Sequence, residues 1–211
     1  MIYKTLLLTI ITTFSASFCY AESSQETKSP QKKNFYIGTT IGYAEPTSFK
    51  NNTQLKDEHG TITYGILAGT TLNDWFRTGV EITHRNKAKI SSTIPNIQDP
   101  SITLSSTSAF LNGYIKIPDS CPYLILGIGQ SYNKFGNFKN NNGILNQGKN
   151  TTNFAYQVGL GFTTNYKMLS FDSELKYADK GTAKTKTNSG GTVVKADIKD
   201  ILFSIAIRYN F

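Results

Sequence analysis

The sequence predicts an all-β protein, a single antiparallel up-and-down transmembrane β-barrel of eight strands. Segments in which apolar and polar residues alternate recur from residue 34 to the end of the chain. This period of two is typical of strands whose two faces meet different environments. The chain is also rich in glycine and aromatic residues, with 17 Gly, 12 Tyr and 13 Phe. It lacks a run of about 18 apolar residues, so a helical membrane protein is not expected.

The residues before the barrel indicate export. Lys4 begins a basic segment, an apolar stretch runs from Leu6 to about Phe18, and small residues end at Ala21, as in a secretory signal. We expect residues 1–21 to be a signal peptide cleaved after Ala21; an uncleaved anchor helix is the alternative, but threonines and serines make this stretch weakly apolar. Residues 22–33 contain no apolar side chain, and we expect a disordered periplasmic lead-in. The barrel domain then covers residues 34–211.

The first three strands carry large apolar residues on one face and mostly small, polar or charged residues on the other. In the first three, the apolar faces are formed by Phe35, Ile37, Ile41 and Tyr43, by Ile62, Tyr64 and Ile66, and by Phe76, Val80 and Ile82. The fourth strand, from about Thr103 to Ile117, carries apolar residues on both faces. A soluble sandwich would also alternate, but a second sheet would then have to cover its apolar face.

The last four strands alternate more clearly. Their apolar faces are formed by Leu124, Leu126 and Ile128, by Phe154, Tyr156, Val158, Leu160 and Phe162, by Leu169, Phe171, Leu175 and Tyr177, and by Ile201, Phe203, Ile205, Ile207, Tyr209 and Phe211. The linkers after odd-numbered strands are long and polar, whereas those after even-numbered strands are short. Outer-membrane barrels have short periplasmic turns and longer outer loops, so we expect both ends of the barrel domain on the side of the short turns.

Four segments resemble a known family: FYIGTTIGYA, YLILGIGQSY, AYQVGLGFTTNY and the terminal IAIRYNF. Over about residues 34–211 the chain is similar to the eight-stranded outer-membrane β-barrel superfamily of opacity-type and OmpX-like bacterial surface antigens. The resemblance implies location in the bacterial cell outer membrane. It also implies that the alternate residues Ile205, Ile207, Tyr209 and Phe211 form the signal read by the barrel-assembly machinery. The long loops carry no family motif, so the resemblance implies no particular ligand.

Charged residues are expected on the inward faces of the strands. A barrel-interior polar network is predicted from Arg77, Glu81, Asp172, Glu174, Lys176 and Arg208. Buried charges need partners, and the last two strands are hairpin neighbours, so Arg208 should pair with Asp172 or Glu174. Side chains fill the interior of an eight-stranded barrel, which favours a polar plug; a small ion channel or porin is the alternative.

Catalytic chemistry is not predicted. The two histidines, His59 and His84, are isolated from each other, and the neighbours of His84 are Thr83, Arg85 and Asn86, with no serine two positions away on its face. We therefore expect no enzyme activity, no cofactor and no metal site. An outer-membrane lipid-modifying enzyme is kept as the less favoured alternative.

The positive charge of the chain and its loops indicates the kind of partner to expect. The net charge is +8, and the candidate polyanion-binding loop residues are Lys134, Lys139, Lys149, Lys180, Lys184 and Lys186. An exported barrel meets the lipid bilayer, lipopolysaccharide and acidic host-surface polymers or host proteins rather than nucleic acid. The predicted function is an adhesin-like or structural surface protein, in which the barrel anchors and the loops interact. Alternatively, the lysines only keep the loops soluble.

Overall fold

The computed structural model of the chain describes residues 35–46, 55–57, 60–92, 101–117, 121–140, 143–146, 148–184 and 195–211. The predicted signal peptide and lead-in lie outside these ranges and remain predictions. The described residues form the strands β1 (Phe35–Pro46), β2 (Leu55–Asp57), β3 (Thr61–Thr71), β4 (Phe76–Ser92), β5 (Ser101–Lys116), β6 (Pro122–Phe135), β7 (Phe138–Asn140), β8 (Gly143–Asn146), β9 (Asn150–Tyr166), β10 (Leu169–Lys184) and β11 (Lys195–Asn210).

Eight long strands close into an antiparallel ring in the order β1, β3, β4, β5, β6, β9, β10, β11. The ring closes where β11 pairs with β1, with Asn210 opposite Tyr36 and Ala206 opposite Thr40. The prediction of an eight-stranded up-and-down barrel is therefore confirmed. The described residues include no helix that is long and apolar enough to cross a membrane.

The three short strands were not predicted. β2 pairs with the end of β4, whereas β7 pairs with β5 at Ser101 and with β8. These strands have three or four residues each, which is too short for a period of two to stand out from the surrounding polar sequence. They extend the sheet beyond the barrel wall.

Large apolar side chains cover the outside of the barrel, as the alternation predicts. On β1, for example, Ile37 and Ile41 are 56% and 60% exposed, whereas Tyr36, which lies between the outward residues Phe35 and Ile37, is 3% exposed. On β11, Ile205 and Ile207 point outward while Ser204 and Ala206 are buried. In water this surface would be costly, whereas acyl chains of a bilayer would solvate it.

Short turns gather at one end of the barrel, which we call the turn end. Asn73 closes the turn between β3 and β4 by accepting hydrogen bonds from the backbone amides of Trp75 and Phe76 at 2.9 and 2.8 Å. Phe35 and Phe211 exchange backbone hydrogen bonds of 3.2 and 2.9 Å at this same end. The predicted placement of both barrel ends on the turn side is thus confirmed. The opposite end is called the loop end.

Candidate functional sites in the barrel interior and at the loop end

Asp172 is the centre of the ionic cluster nearest the turn end. Its carboxylate accepts a hydrogen bond of 2.8 Å from Nη2 of Arg208 and lies 3.5 Å from Nη1 of Arg77. The hydroxyl of Thr163 donates to Oδ1 at 2.7 Å. The guanidinium of Arg77 also lies 3.9 Å from the ring centre of Tyr114, a cation–π contact that replaces part of its lost hydration.

Lys176 is the centre of a second cluster. Its Nζ lies 2.8 Å from Oε1 of Glu81 and 2.8 Å from Oε2 of Glu174. The other oxygen of Glu81 accepts hydrogen bonds from the side-chain amides of Asn112 at 2.8 Å and Gln157 at 3.2 Å. These side chains come from β4, β5, β9 and β10. The four strands are therefore joined in the middle of the barrel by one polar network whose members are hydrogen-bonded or paired.

Asp200 is the centre of a third cluster, towards the loop end. It lies 2.9 Å from Nζ of Lys180 and 3.2 Å from Nη1 of Arg85. Arg85 also donates from Nε to the hydroxyl of Thr61 at 3.0 Å. All three ionic side chains are at most 4% exposed.

The structure corrects the sequence-based interpretation of Lys180, which was assigned to an exposed loop. β10 continues to Lys184, past an irregularity between Asp179 and Thr182 where Gly181 adopts a φ of +73°. This left-handed conformation suits glycine, and the strand keeps Lys180 directed inward, where it is 4% exposed. Lys180 is therefore part of the barrel interior and not a loop residue.

All six residues of the predicted interior network lie inside the barrel, and each is at most 5% exposed. Arg208 pairs with Asp172, one of its two expected partners. Sequence reasoning missed Arg85 and Asp200. The same alternation, continued beyond the predicted strand segments, would have found both, because they lie in phase with the inward positions Glu81 and Leu202.

Apolar side chains close the interior at the loop end. Leu104, Phe135 and Ile198 are at most 2% exposed, and Ala88 and Ala183 are equally buried. Leu104 lies opposite both Phe135 and Ala88 in the sheet. From the turn end to the loop end, the interior therefore consists of three ionic clusters followed by an apolar layer.

Two of the candidate loop lysines are exposed at the loop end. Lys134 lies opposite Asn150 near the ends of β6 and β9, and the carbonyl of Lys149 accepts a hydrogen bond of 3.3 Å from the amide of Phe135. Both lysine side chains are exposed. The side chains of Lys139 and Lys184, and all of Lys186, lie outside the described part of the structure.

The charges around the loop end are distributed unevenly. Among the described outward-facing side chains beyond the apolar band, β4 and β6 carry Lys87 and Lys134, Lys149 directly precedes β9, and no carboxylate lies on β4, β5, β6 or β9. On the adjacent strands β10 and β11, Asp179 lies 3.4 Å from Lys199 and accepts a hydrogen bond of 3.3 Å from Tyr156 of β9. Lys87, Lys134 and Lys149, which we call the cationic rim, therefore have no carboxylate on their own strands among the described residues.

The structure places His84 beside a hydroxyl group and an aromatic ring. Its Nδ1 is 2.9 Å from the hydroxyl of Thr107, and its ring centre is 5.3 Å from that of Tyr64. Among the described residues, no group of three His, Cys, Asp or Glu side chains is placed to hold a metal ion.

Comparison with known proteins gives one family. The family model for the outer membrane protein beta-barrel domain matches residues 8–211. No curated protein sequence matches the chain. The outer membrane protein OprG from Pseudomonas aeruginosa has a similar structure, with a TM-score of 0.51 and 15% identity over 86% of this chain and 97% of that chain.

Two further solved structures align less closely. Ail, the attachment invasion locus protein of Yersinia pestis, solved in complex with the heparin analogue sucrose octasulfate, gives a TM-score of 0.49 and 14% identity over 84% of this chain and 99% of that chain. Neisserial surface protein A gives a TM-score of 0.43 and 15% identity over 84% of this chain and 97% of that chain.

Proposed function

The chain belongs to the family of outer membrane protein beta-barrel domains, and from this premise we propose that it is a non-catalytic surface protein. Its barrel lies in the bilayer of the bacterial outer membrane, reached through the barrel-assembly machinery, and its loop end contacts partners outside the cell. Short turns of such barrels face the periplasm, which supports an outward orientation of the loop end.

The cationic rim is the observation that carries this proposal. Exposed lysines with no described acidic neighbour attract anions, and their flexible side chains need no preformed pocket. The chemical class of partner is therefore a polyanion, such as lipopolysaccharide phosphates, an acidic host-surface polymer or an acidic patch of a host protein.

The filled interior favours an anchor over the channel alternative. The described ionic side chains pair across the barrel, and the apolar layer of Leu104, Phe135 and Ile198 lies above them. His84 contacts the hydroxyl of Thr107 and the ring of Tyr64, and no described carboxylate orients it as a base, which supports a non-catalytic role over a lipid-modifying enzyme.

Binding to heparin tests the proposal. Purified barrel should bind heparin at low ionic strength and release it as salt rises, because the Debye length shrinks to about 8 Å at physiological ionic strength. A variant with Lys87, Lys134, Lys139 and Lys149 changed to Gln should lose most of this binding while its unfolding in urea stays the same. Lys180→Gln should keep the binding, since Lys180 is buried.

A matched control removes positive charge elsewhere. Lys28, Lys32, Lys33 and Lys167, which lie in the lead-in or at the turn end, are changed to Gln together. This control should bind heparin as the wild type does. Equal loss in both variants, or binding that is indifferent to salt, would contradict the proposed role of the loop end.

A further inference from the structure

An apolar groove of about 450 Å³ lies on the outside of the barrel, across β5, β6 and β9. Its walls are the outward-facing side chains of Leu111, Leu126, Ile128, Tyr156 and Val158, which are 40% to 58% exposed. Gly127 and Gln157 also line it, and because both face the interior they contribute backbone to its floor. The groove therefore opens towards the acyl chains of the bilayer.

A track of small side chains leads from this groove to the loop end. Above Leu111, the outward positions of β5 are Ala109, Thr107 and Ser105, which lie opposite Gln130, Tyr132 and Lys134 of β6. The six residue steps from Ile128 to Lys134 span about 20 Å along the strand. An extended chain seated in the groove and along this track would thus end beside Lys134.

The groove and the cationic rim lie on the same strands. Lys134 ends the β6 side of the track, and the main chain of Lys149 is bonded to β6 through the amide of Phe135. Lysine stems lie along apolar surface while their ammonium groups reach the headgroup layer. We propose that this face binds one phosphorylated glycolipid of the lipid A class, with an acyl chain in the groove and a phosphate between Lys134 and Lys149.

The neighbouring strands β10 and β11 lack this combination. There the outward carboxylate of Asp179 takes up the charge of Lys199 and accepts a hydrogen bond of 3.3 Å from Tyr156, and Asp197 accepts one from Thr182 at 2.7 Å. A carboxylate beside a headgroup would repel a lipid phosphate. Charge complementarity therefore favours the β5 and β6 side of the groove, where the track leads to Lys134 and away from Asp179. The inference rests on the proposed function in one respect, since both require the loop end to be the outer end.

Binding of defined lipid A to the barrel in phospholipid nanodiscs tests the inference. Wild type should bind bisphosphorylated lipid A more tightly than dephosphorylated lipid A or phosphatidylglycerol. Lys134→Gln with Lys149→Gln should weaken binding at least about tenfold, because each basic residue near the headgroups contributes appreciably to anionic-lipid binding. Ala109→Trp should weaken binding similarly by blocking the track.

Two matched controls separate this site from a general effect. Lys167→Gln removes an exposed lysine at the turn end, and Ser173→Trp adds the same bulky side chain to the outward face of β10. Both should bind lipid A as the wild type does. Unchanged affinity of either test variant, equal loss in the controls, or no preference for the phosphorylated glycolipid would overturn the inference.

Heparin binding of Ala109→Trp distinguishes this inference from the proposed function. Heparin has no acyl chain, so this variant should keep heparin binding while it loses lipid A. If wild type binds heparin through its lysines but shows no lipid A preference, the glycolipid site is wrong and the surface role stands. If lipid A binds as expected and heparin does not, the glycolipid site stands and the role in binding soluble polyanions fails.

Discussion

At the scale of single residues, the three interior clusters share one design. Each places one ion between two ions of opposite sign: Asp172 between two arginines, Lys176 between two glutamates, and Asp200 between Lys180 and Arg85. Loss of a central ion leaves two like charges close together in a buried site, whereas loss of an outer ion leaves a neutral pair. The central ions should therefore matter more to stability.

This difference gives a ranking that can be measured. Asp172→Ala should lower the free energy of unfolding by about 3–5 kcal/mol, because Arg77 and Arg208 would lose their buried partner. Glu174→Ala should also destabilise the barrel, but by less, because Glu81 still neutralises Lys176; the cost is about 1–3 kcal/mol for the unpaired donor of Tyr123 and the lost ion pair. Urea unfolding in lipid vesicles measures both.

The control is Lys199→Ala, which breaks the partly exposed ion pair with Asp179 and keeps the hydrogen bond from Gly181 to Asp179. Exposed pairs are worth at most about 1 kcal/mol, so this variant should unfold close to the wild type. If Glu174→Ala cost as much as Asp172→Ala, the shared-ion arrangement would be the wrong account of the interior.

The residue scale also shows where the sequence was informative. Alternation is sufficient to assign an inward face, so Arg77, Glu81 and Arg208 could be identified without a structure. Pairing across the barrel, such as Glu81 with Lys176 of β10, depends on the closure and stagger of the ring. That information is spread over all strands and is not contained in any single segment.

At the scale of strands, the contact of β1 with β11 determines whether the barrel closes. Phe211 bonds to the backbone of Phe35 and its ring lies 6.3 Å from the rings of both Phe35 and Tyr209. Tyr36, the next residue of β1, crosses to β4 and donates a hydrogen bond of 3.0 Å to the carbonyl of Thr78. It can do so because Gly69 and Gly79 have no side chain in its path.

The terminal strand gives an assembly prediction. Phe211→Asp, or deletion of Phe211, should reduce insertion into the outer membrane and leave protein in the periplasm, because the change removes the terminal aromatic residue and puts a charge beside Phe35 and Tyr209. Surface labelling of intact cells and fractionation measure the effect. Phe154→Asn is the control, since Phe154 is an equally exposed aromatic residue outside the terminal strand; wild-type surface levels of the Phe211 variants would refute the prediction.

The strand scale also explains the limits of prediction. Long strands were identified because lipid on one side and packed polar groups on the other impose a strict period of two. Beyond the apolar band the strands no longer contact lipid, so the sequence there need not alternate. β4 and β9 each have 17 residues, more than the 9 to 11 or so that a bilayer requires, and their outer parts carry Lys87, Asn150 and Thr152. In β10 the residues beyond Tyr177 are likewise small or polar on both faces, which is why the sequence predicts a loop at Lys180.

At the scale of the whole molecule, the barrel has an ionic interior and an apolar exterior. In the interior, each described cluster pairs a central ion with two ions of opposite sign. The exterior differs around its circumference, with the cationic rim near β4, β6 and β9 and the pair of Asp179 and Lys199 on the adjacent strands β10 and β11. Such lateral asymmetry follows from which strands become neighbours, and it could not be predicted from the net charge alone.

The packed interior leads to a prediction about conductance. The described lumen is occupied at three levels by ion clusters and at the loop end by Leu104, Phe135 and Ile198, and moving an ion past them would require breaking desolvated ion pairs. Protein refolded into a planar bilayer should therefore show no stepwise current. Asp200→Asn, which leaves Lys180 and Arg85 without their shared carboxylate, provides the decisive comparison. If the wild type shows current steps and Asp200→Asn changes their ion selectivity, the lumen conducts and the prediction is wrong. If this substitution leaves the steps unchanged, the current comes from a leak around the barrel.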